Sequence, residues 1–111
     1  MSPSYQDLLA QAREVIPEVE PSDVAPRVES GDGPLIIDVR ETAEWDQGHL
    51  PGAVHVPRGF LESRVAGVAP DQDRELLISC ASGQRSLLAA VTLRDMGFTN
   101  VSNLAGGFAR W

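Results

Sequence analysis

An α/β fold with a central, mainly parallel sheet flanked by helices is what this sequence predicts, and two observations carry the prediction. Leu35-Ile36-Ile37 and Leu76-Leu77-Ile78 are short, uninterrupted apolar runs, the pattern of strands covered on both faces. Helix-like and strand-like segments alternate from end to end, the order that parallel strands joined by crossovers require.

The elements follow in order. Tyr5, Leu8, Leu9, Ala12, Val15 and Ile16 recur at helical spacing, so residues 4–16 read as an amphipathic helix that Pro17 ends. It belongs to an amino-terminal extension, residues 1–18, ahead of a main domain at residues 19–111. Its apolar face needs a partner: the helix docks on the core, pairs with a second copy, or is the remnant of a linker. A short strand around Val19 leads to Ser22, the expected N-cap of a helix reaching Glu29, with Pro26 placed in the first turn, where a missing N–H is tolerated. Ser30-Gly31-Asp32-Gly33-Pro34 is a turn, and Leu35–Asp38 the next strand. Thr42 opens a short helix through Trp45, Ala53–Val56 reads as a strand, and residues 59–68 as a helix. The strand at 76–78 gives way to a helix over Ser86–Met96 that ends at Gly97, a C′ glycine. Val101–Leu104 is the last strand, followed by Gly106-Gly107 and a closing helical turn. There is no repeat and no low-complexity tract.

Composition limits the function. A chain of 111 residues with 42% hydrophobic content builds one core without metals or disulfides. Its single cysteine forms no internal disulfide, no Cys/His cluster has zinc spacing, and no apolar run approaches membrane length. The amino terminus lacks a basic start and an apolar h-region. A cytoplasmic protein with no cofactor and no bound metal is expected. The net charge of -7, with no lysine among the nine basic residues, argues against nucleic acid.

Cys80 is where chemistry is expected to start. It closes the apolar run at 76–78 and heads the loop Cys80-Ala81-Ser82-Gly83-Gln84-Arg85-Ser86, just before a helix N-terminus. Unpaired amides and the helix dipole at that point welcome a thiolate or an oxyanion, and a nearby arginine adds to the effect. Arg85 can hold a planar oxyanion with two nitrogens, and Ser82 or Ser86 adds a hydroxyl. The plain alternative is a small buried hydrophobe, a common use of free cysteine; the glycine, arginine and serine at close spacing favour the nucleophile. Cysteine-dependent phosphatases place the arginine six residues after the nucleophile, and here the interval is five.

In an open α/β sheet, ligands gather at the carboxyl ends of strands, so Asp38 and Arg40 are expected to share one rim with Cys80 and Arg85. A helix-capping Asp38 and an undedicated Arg40 are their ordinary readings. Arg58 and Arg64 either add to a positive mouth or are solvated. His49 and His55 have no metal-like partner, and His49 sits in a turn where packing and backbone bonding are its expected use. Trp45 and Trp111 are expected as core anchors.

Three segments together resemble the single-domain rhodanese family of sulfurtransferases, from about Glu20 to Trp111. The first is Leu35-Ile36-Ile37-Asp38-Val39-Arg40-Glu41 with Glu44-Trp45 and Gly48-His49-Leu50-Pro51-Gly52-Ala53. The second is the loop from Cys80 to Ser86. The third is Asn103-Leu104-Ala105-Gly106-Gly107-Phe108-Ala109-Arg110-Trp111. The resemblance implies a rhodanese-like three-layer sandwich and a sulfur transfer in which Cys80 takes a sulfane sulfur as a persulfide and passes it on. Loop amides from Ala81 to Ser86 would stabilise the persulfide anion, Arg85 would orient an anionic donor such as thiosulfate, and Asp38 and Arg40 would support the loop. Acceptors are cyanide, a thiol or an acceptor protein. Pro57-Arg58-Gly59-Phe60-Leu61-Glu62 resembles rhodanese domains attached to adenylyltransferases that serve sulfur-carrier proteins. Family members usually continue beyond the position of Trp111. The alternative from another class is a rhodanese-like interaction or sulfur-relay module with little small-molecule turnover.

Overall fold

The computed structural model describes residues 2–111. Five strands form one parallel sheet in the order β1-β5-β4-β2-β3, where β1 is Glu18–Val19, β2 Leu35–Asp38, β3 Val54–His55, β4 Leu76–Ser79 and β5 Val101–Leu104. Alternation along each strand sorts the side chains into two layers. Ile37, Leu76, Ile78 and Val101 face one side with Cys80; Ile36, Leu77 and Leu104 face the other. Both sides of the central strands are therefore apolar, which is why β2 and β4 read as continuous hydrophobic runs.

Three helices cover the first face: α1 (Tyr5–Val15), α4 (Leu61–Val68) and α5 (Gln84–Asp95), through Leu9, Ala12, Leu61, Val65, Leu87, Ala90 and Leu93. The second face is covered by α2 (Pro21–Glu29) and α6 (Gly107–Arg110), through Val24, Phe108 and the following Trp111, together with Leu50. The amino-terminal helix docks on its own chain: Leu9, Ala12 and Ile16 are buried, and α1 lies along α5. Its start is fixed by a capping box in which Ser4 Oγ accepts from the Asp7 amide at 3.1 Å and the Asp7 carboxylate accepts from the Ser4 amide at 2.9 Å.

Two local expectations are corrected. Helix α2 starts at Pro21 with Glu20 at the N-cap, so Ser22 is helical and not the cap. Pro21 wins the first position because its fixed φ suits a helix and its missing N–H is unpaired there in any case. Pro26 consequently lies inside the helix rather than in its first turn. A five-residue helix, α3 (Thr42–Asp46), follows β2, and a 3-10 turn at Arg58–Phe60 precedes α4.

The topology sets the place of the site. From β2 the chain moves outward to β3, and from β4 it moves the opposite way to β5. The carboxyl ends of adjacent β2 and β4 therefore flank a switch point, where a crevice opens in sheets of this kind.

Candidate active site

Cys80 follows β4 at this switch point, and its side chain is buried, with 1% exposure. Gly83 takes φ +94° and caps α5 in the left-handed region. A Cβ there would sit 3.1 Å from the Gly106 nitrogen and 3.2 Å from the Leu104 carbonyl. Only glycine gives the turn and the close approach together. The turn curls the loop back over the cysteine. Cys80 Sγ accepts from the Gly83 amide at 3.1 Å, the Ser86 amide at 3.3 Å and Ser86 Oγ at 3.3 Å. Among the described residues, the amides of Ala81 and Ser82 have no hydrogen-bond partner, and those of Gln84 and Arg85 open α5, where no intrahelical acceptor exists. The sulfur thus accepts three hydrogen bonds at the head of a loop whose other amides are unpaired.

A second loop locks the first from below. Gly107 has φ +61°, and a Cβ on it would run into the Cys80 carbonyl oxygen. The Phe108 amide donates to Cys80 O at 2.8 Å and the Ala109 amide to Ala81 O at 3.0 Å. Gly107 is thus required for backbone to pass directly under the cysteine.

Asn103 organises the loop from β5. Wholly buried, it donates from Nδ2 to Gly83 O at 2.9 Å and to Glu18 Oε2 at 3.1 Å, while Oδ1 accepts from Ser86 Oγ at 2.6 Å. The two acceptors on Nδ2 fix the amide's orientation, so Oδ1 faces Ser86. A hydroxyl has one proton; while Ser86 gives it to Asn103, its oxygen can accept S–H from a thiol, and it can rotate to donate once the sulfur is charged.

Arg85, half-exposed, is held by Glu44 of α3, with Nη1 to Oε1 at 2.8 Å and Nη2 to Oε2 at 2.9 Å. This fork holds the Glu44 carboxyl down at about 2, chiefly through the hydrogen bonds from Arg85. The same bonds raise Arg85 further above its usual value, aided by negative charge at Glu44, Cys80 and Glu41 and opposed by burial. Arg85 is therefore permanently cationic, within the electrostatic reach of the sulfur, and already paired.

Asp38 and Arg40 form a buried pair on the other face of the sheet. Arg40 Nε lies 3.0 Å and Nη2 2.9 Å from Asp38 Oδ2, and the Arg40 amide donates to Asp38 Oδ1 at 2.9 Å. Nη2 also donates to Gly48 O at 2.7 Å, and the guanidinium lies over Phe108 at 4.5 Å from the ring centroid. The pair does not touch Cys80. It fixes the turn at Gly48 and the ring of Phe108, whose amide holds the Cys80 carbonyl.

Arg58 pairs with Glu62 at 2.9 Å and donates to Thr92 Oγ1 at 3.2 Å, and Arg64 covers Phe60 at 4.1 Å; neither contacts residues 80–86. His49 stacks on Trp45 at 3.5 Å between centroids, and His55 at 4.8 Å. Trp45 is half-buried and belongs to neither core cluster, which corrects its reading as a core anchor; it stacks with the two histidines instead. Trp111 does pack on the second cluster. Glu18, Glu44 and Asn103 are absent from the sequence-based site. Of these, only Asn103 carried a local signal, as a polar residue in the short strand between Val101 and Leu104.

The rhodanese-like domain family model matches residues 20–111. The chain is 38% identical over 96 residues to "Putative sulfur carrier protein YrkF" of Bacillus subtilis, covering 86% of this chain and 51% of that protein, so it spans about half the length of that relative. A sulfurtransferase of Allochromatium vinosum is 31% identical over 97 residues, 87% of this chain and 89% of the relative. Among solved structures, RPA3614 of Rhodopseudomonas palustris, described as a protein of unknown function and possible tyrosine phosphatase, superposes with a TM-score of 0.92 at 29% identity, covering 100% of this chain and 90% of that one.

Proposed function

We propose, on the premise that the chain belongs to the rhodanese-like domain family, that it is a sulfurtransferase whose Cys80 carries sulfur as a persulfide. The observation that carries the reading is the set of three donors on Cys80 Sγ, from the Gly83 and Ser86 amides and Ser86 Oγ, in a loop whose Ala81 and Ser82 amides are unpaired. A second sulfur on Cys80 is an anion that needs such donors, as an oxyanion needs its hole.

In the first half-reaction the Cys80 thiolate attacks the outer sulfur of a donor. A new S–S bond forms, the donor's bond to that sulfur breaks, and its electron pair leaves with the remainder, sulfite when thiosulfate is the donor. In the second, a thiol, cyanide or an acceptor protein attacks the outer sulfur and the pair returns to Cys80 as thiolate. The curated relatives are named for sulfur transfer and sulfur carriage, which supports a protein acceptor beside small ones. A free, unbridged cysteine suits a reducing compartment such as the cytoplasm.

The test is intact mass without reductant after incubation with thiosulfate and removal of the excess. A gain of one sulfur atom, lost on adding cyanide and absent in Cys80→Ser, is the expected result. No gain with thiosulfate or with a cysteine-desulfurase donor would overturn the reading in favour of a module that binds without transferring sulfur.

A further inference from the structure

The guanidinium of Arg85 is the only side-chain cation in the cysteine loop, and both of its terminal nitrogens are spent on one carboxylate. That carboxylate is not a wandering surface group. Glu44 Oε1 also accepts from the Glu41 amide at 3.1 Å, closing the capping box of α3, so the competitor for Arg85 is tethered and already oriented, with the high effective concentration of an intramolecular ligand. With its carboxyl held down at about 2 by Arg85, Glu44 is an anion at every pH at which a thiolate attacks. Glu41, next to it in the turn, adds to the negative field on Arg85.

A small dianion that seeks Arg85 meets two costs. It must break a two-pronged charge-assisted contact of the strong kind. It must then lie beside the displaced carboxylate, in a field of like sign. A donor with one negative charge, whose organic part is bound by other surfaces, meets less of either cost.

We infer that Glu44 is a specificity-determining residue that turns the Cys80 site away from small dianionic donors such as thiosulfate and toward organic sulfane-sulfur donors bearing a single negative charge, thiosulfonates or persulfides. The inference rests on the sulfurtransferase reading above and deepens it. The chemistry balances for either class. With a thiosulfonate, Cys80 thiolate bonds the terminal sulfur, the bond from that sulfur to the sulfonyl sulfur breaks, and the electron pair leaves as sulfinate. With an organic persulfide the pair leaves as thiolate, and no outside oxidant or reductant takes part.

The experiment compares wild type with Glu44→Gln, using thiosulfate and benzenethiosulfonate as donors and cyanide as acceptor, and reads kcat and KM for each donor. The Gln oxygen can keep the bond to the Glu41 amide, and a far-UV circular dichroism spectrum matching wild type, with a cooperative urea transition, checks that the fold is kept. The expected result is a fall of about tenfold in the KM for thiosulfate in Glu44→Gln, equivalent to about 1.4 kcal/mol, with a much smaller change for benzenethiosulfonate. In an Arg85→Met background the same substitution should shift the donor preference far less, because the contested cation is gone. A donor preference that Glu44→Gln leaves unchanged, or a KM for thiosulfate that rises, overturns the inference while leaving the sulfurtransferase reading intact. If neither donor places sulfur on Cys80 in either protein, both fall together.

Discussion

Asn103→Ala is the substitution that most directly tests how the loop is held. Asn103 makes three hydrogen bonds from a fully buried side chain, to Ser86 Oγ, Gly83 O and Glu18 Oε2. The bond to Glu18 counts for little, since that carboxylate is a third exposed and takes up water. The other two partners are buried. After truncation, Gly83 O keeps only a 3.3 Å contact from the Leu87 amide, and Ser86 Oγ keeps only Cys80 Sγ at 3.3 Å. At about 1–3 kcal/mol for each buried group left short of a partner, discounted for these residual contacts, the loss comes to about 2–4 kcal/mol. With an m-value of about 1.5 kcal/mol/M, the urea midpoint should fall by about 1.3–2.7 M. Asn103→Asp supplies the control: its second oxygen would face Gly83 O and Glu18 without a proton, so it should be as damaging at neutral pH, and the loss should shrink as pH falls and the new carboxyl is protonated. Alkylation of Cys80 should change in rate in both variants, because Gly83 and Ser86 both touch the sulfur. A loss below about 0.5 kcal/mol in Asn103→Ala, the range of an ordinary surface change, would refute the argument that Asn103 holds the loop.

Two further outcomes follow from single contacts. The Glu44 carboxyl is lowered from 4.5 to about 2 in the folded protein, so its stabilising contribution is complete above the unfolded value and is lost as pH falls through the folded one; urea titrations of wild type and Glu44→Gln should differ most above pH 4.5 and converge toward pH 2. Gly107→Ala puts a Cβ into the Cys80 carbonyl at a φ of +61°, and should cost about 3 kcal/mol or more, read as a lower thermal midpoint; an unchanged midpoint would mean that the two loops are not packed as described.

How much could be read from the sequence depended on whether a feature was local. The strands at Leu35–Asp38 and Leu76–Ser79 were legible because burial on both faces leaves a continuous apolar run, and α1 because Leu9, Ala12 and Ile16 repeat at helical spacing. The cysteine loop was legible because its glycine, arginine and serine are neighbours in sequence. The start of α2 was misplaced by weighing Ser22 as a cap over Pro21 as a first helical residue, two local signals of which the structure obeys the second. Apart from Asn103, marked as a polar residue in a short strand, the partners of the loop were not legible. Glu44 reaches Arg85 across 41 positions, and Glu18 reaches Asn103 across 85. Such pairings arise from strand order, and a sequence carries no local mark of which carboxylate will meet which donor. Trp45 was misjudged for a related reason: its partners, His49 and His55, lie on either side of a turn whose path the sequence did not give.

The size of the loop bears on whether it serves sulfur or phosphorus, a question sharpened by the likeness to RPA3614, described as a possible tyrosine phosphatase. A phosphoryl group on a cysteine projects three oxygens, so its cradle must stand back from the sulfur and keep an arginine free to grip two of them. Here the Gly83 and Ser86 amides close directly on Sγ at 3.1 and 3.3 Å, and the arginine, five residues after the cysteine, is gripped by Glu44. What is left for a guest is the unpaired amides of Ala81, Ser82, Gln84 and Arg85, together with the hydroxyl of Ser86 once it rotates. A loop closed this tightly on the sulfur suits a single additional atom with a diffuse charge better than a dianionic tetrahedral group. The proposed persulfide is thus favoured over a phosphoenzyme by the closeness of the loop to Sγ and the pairing of its arginine, rather than by the presence of the cysteine.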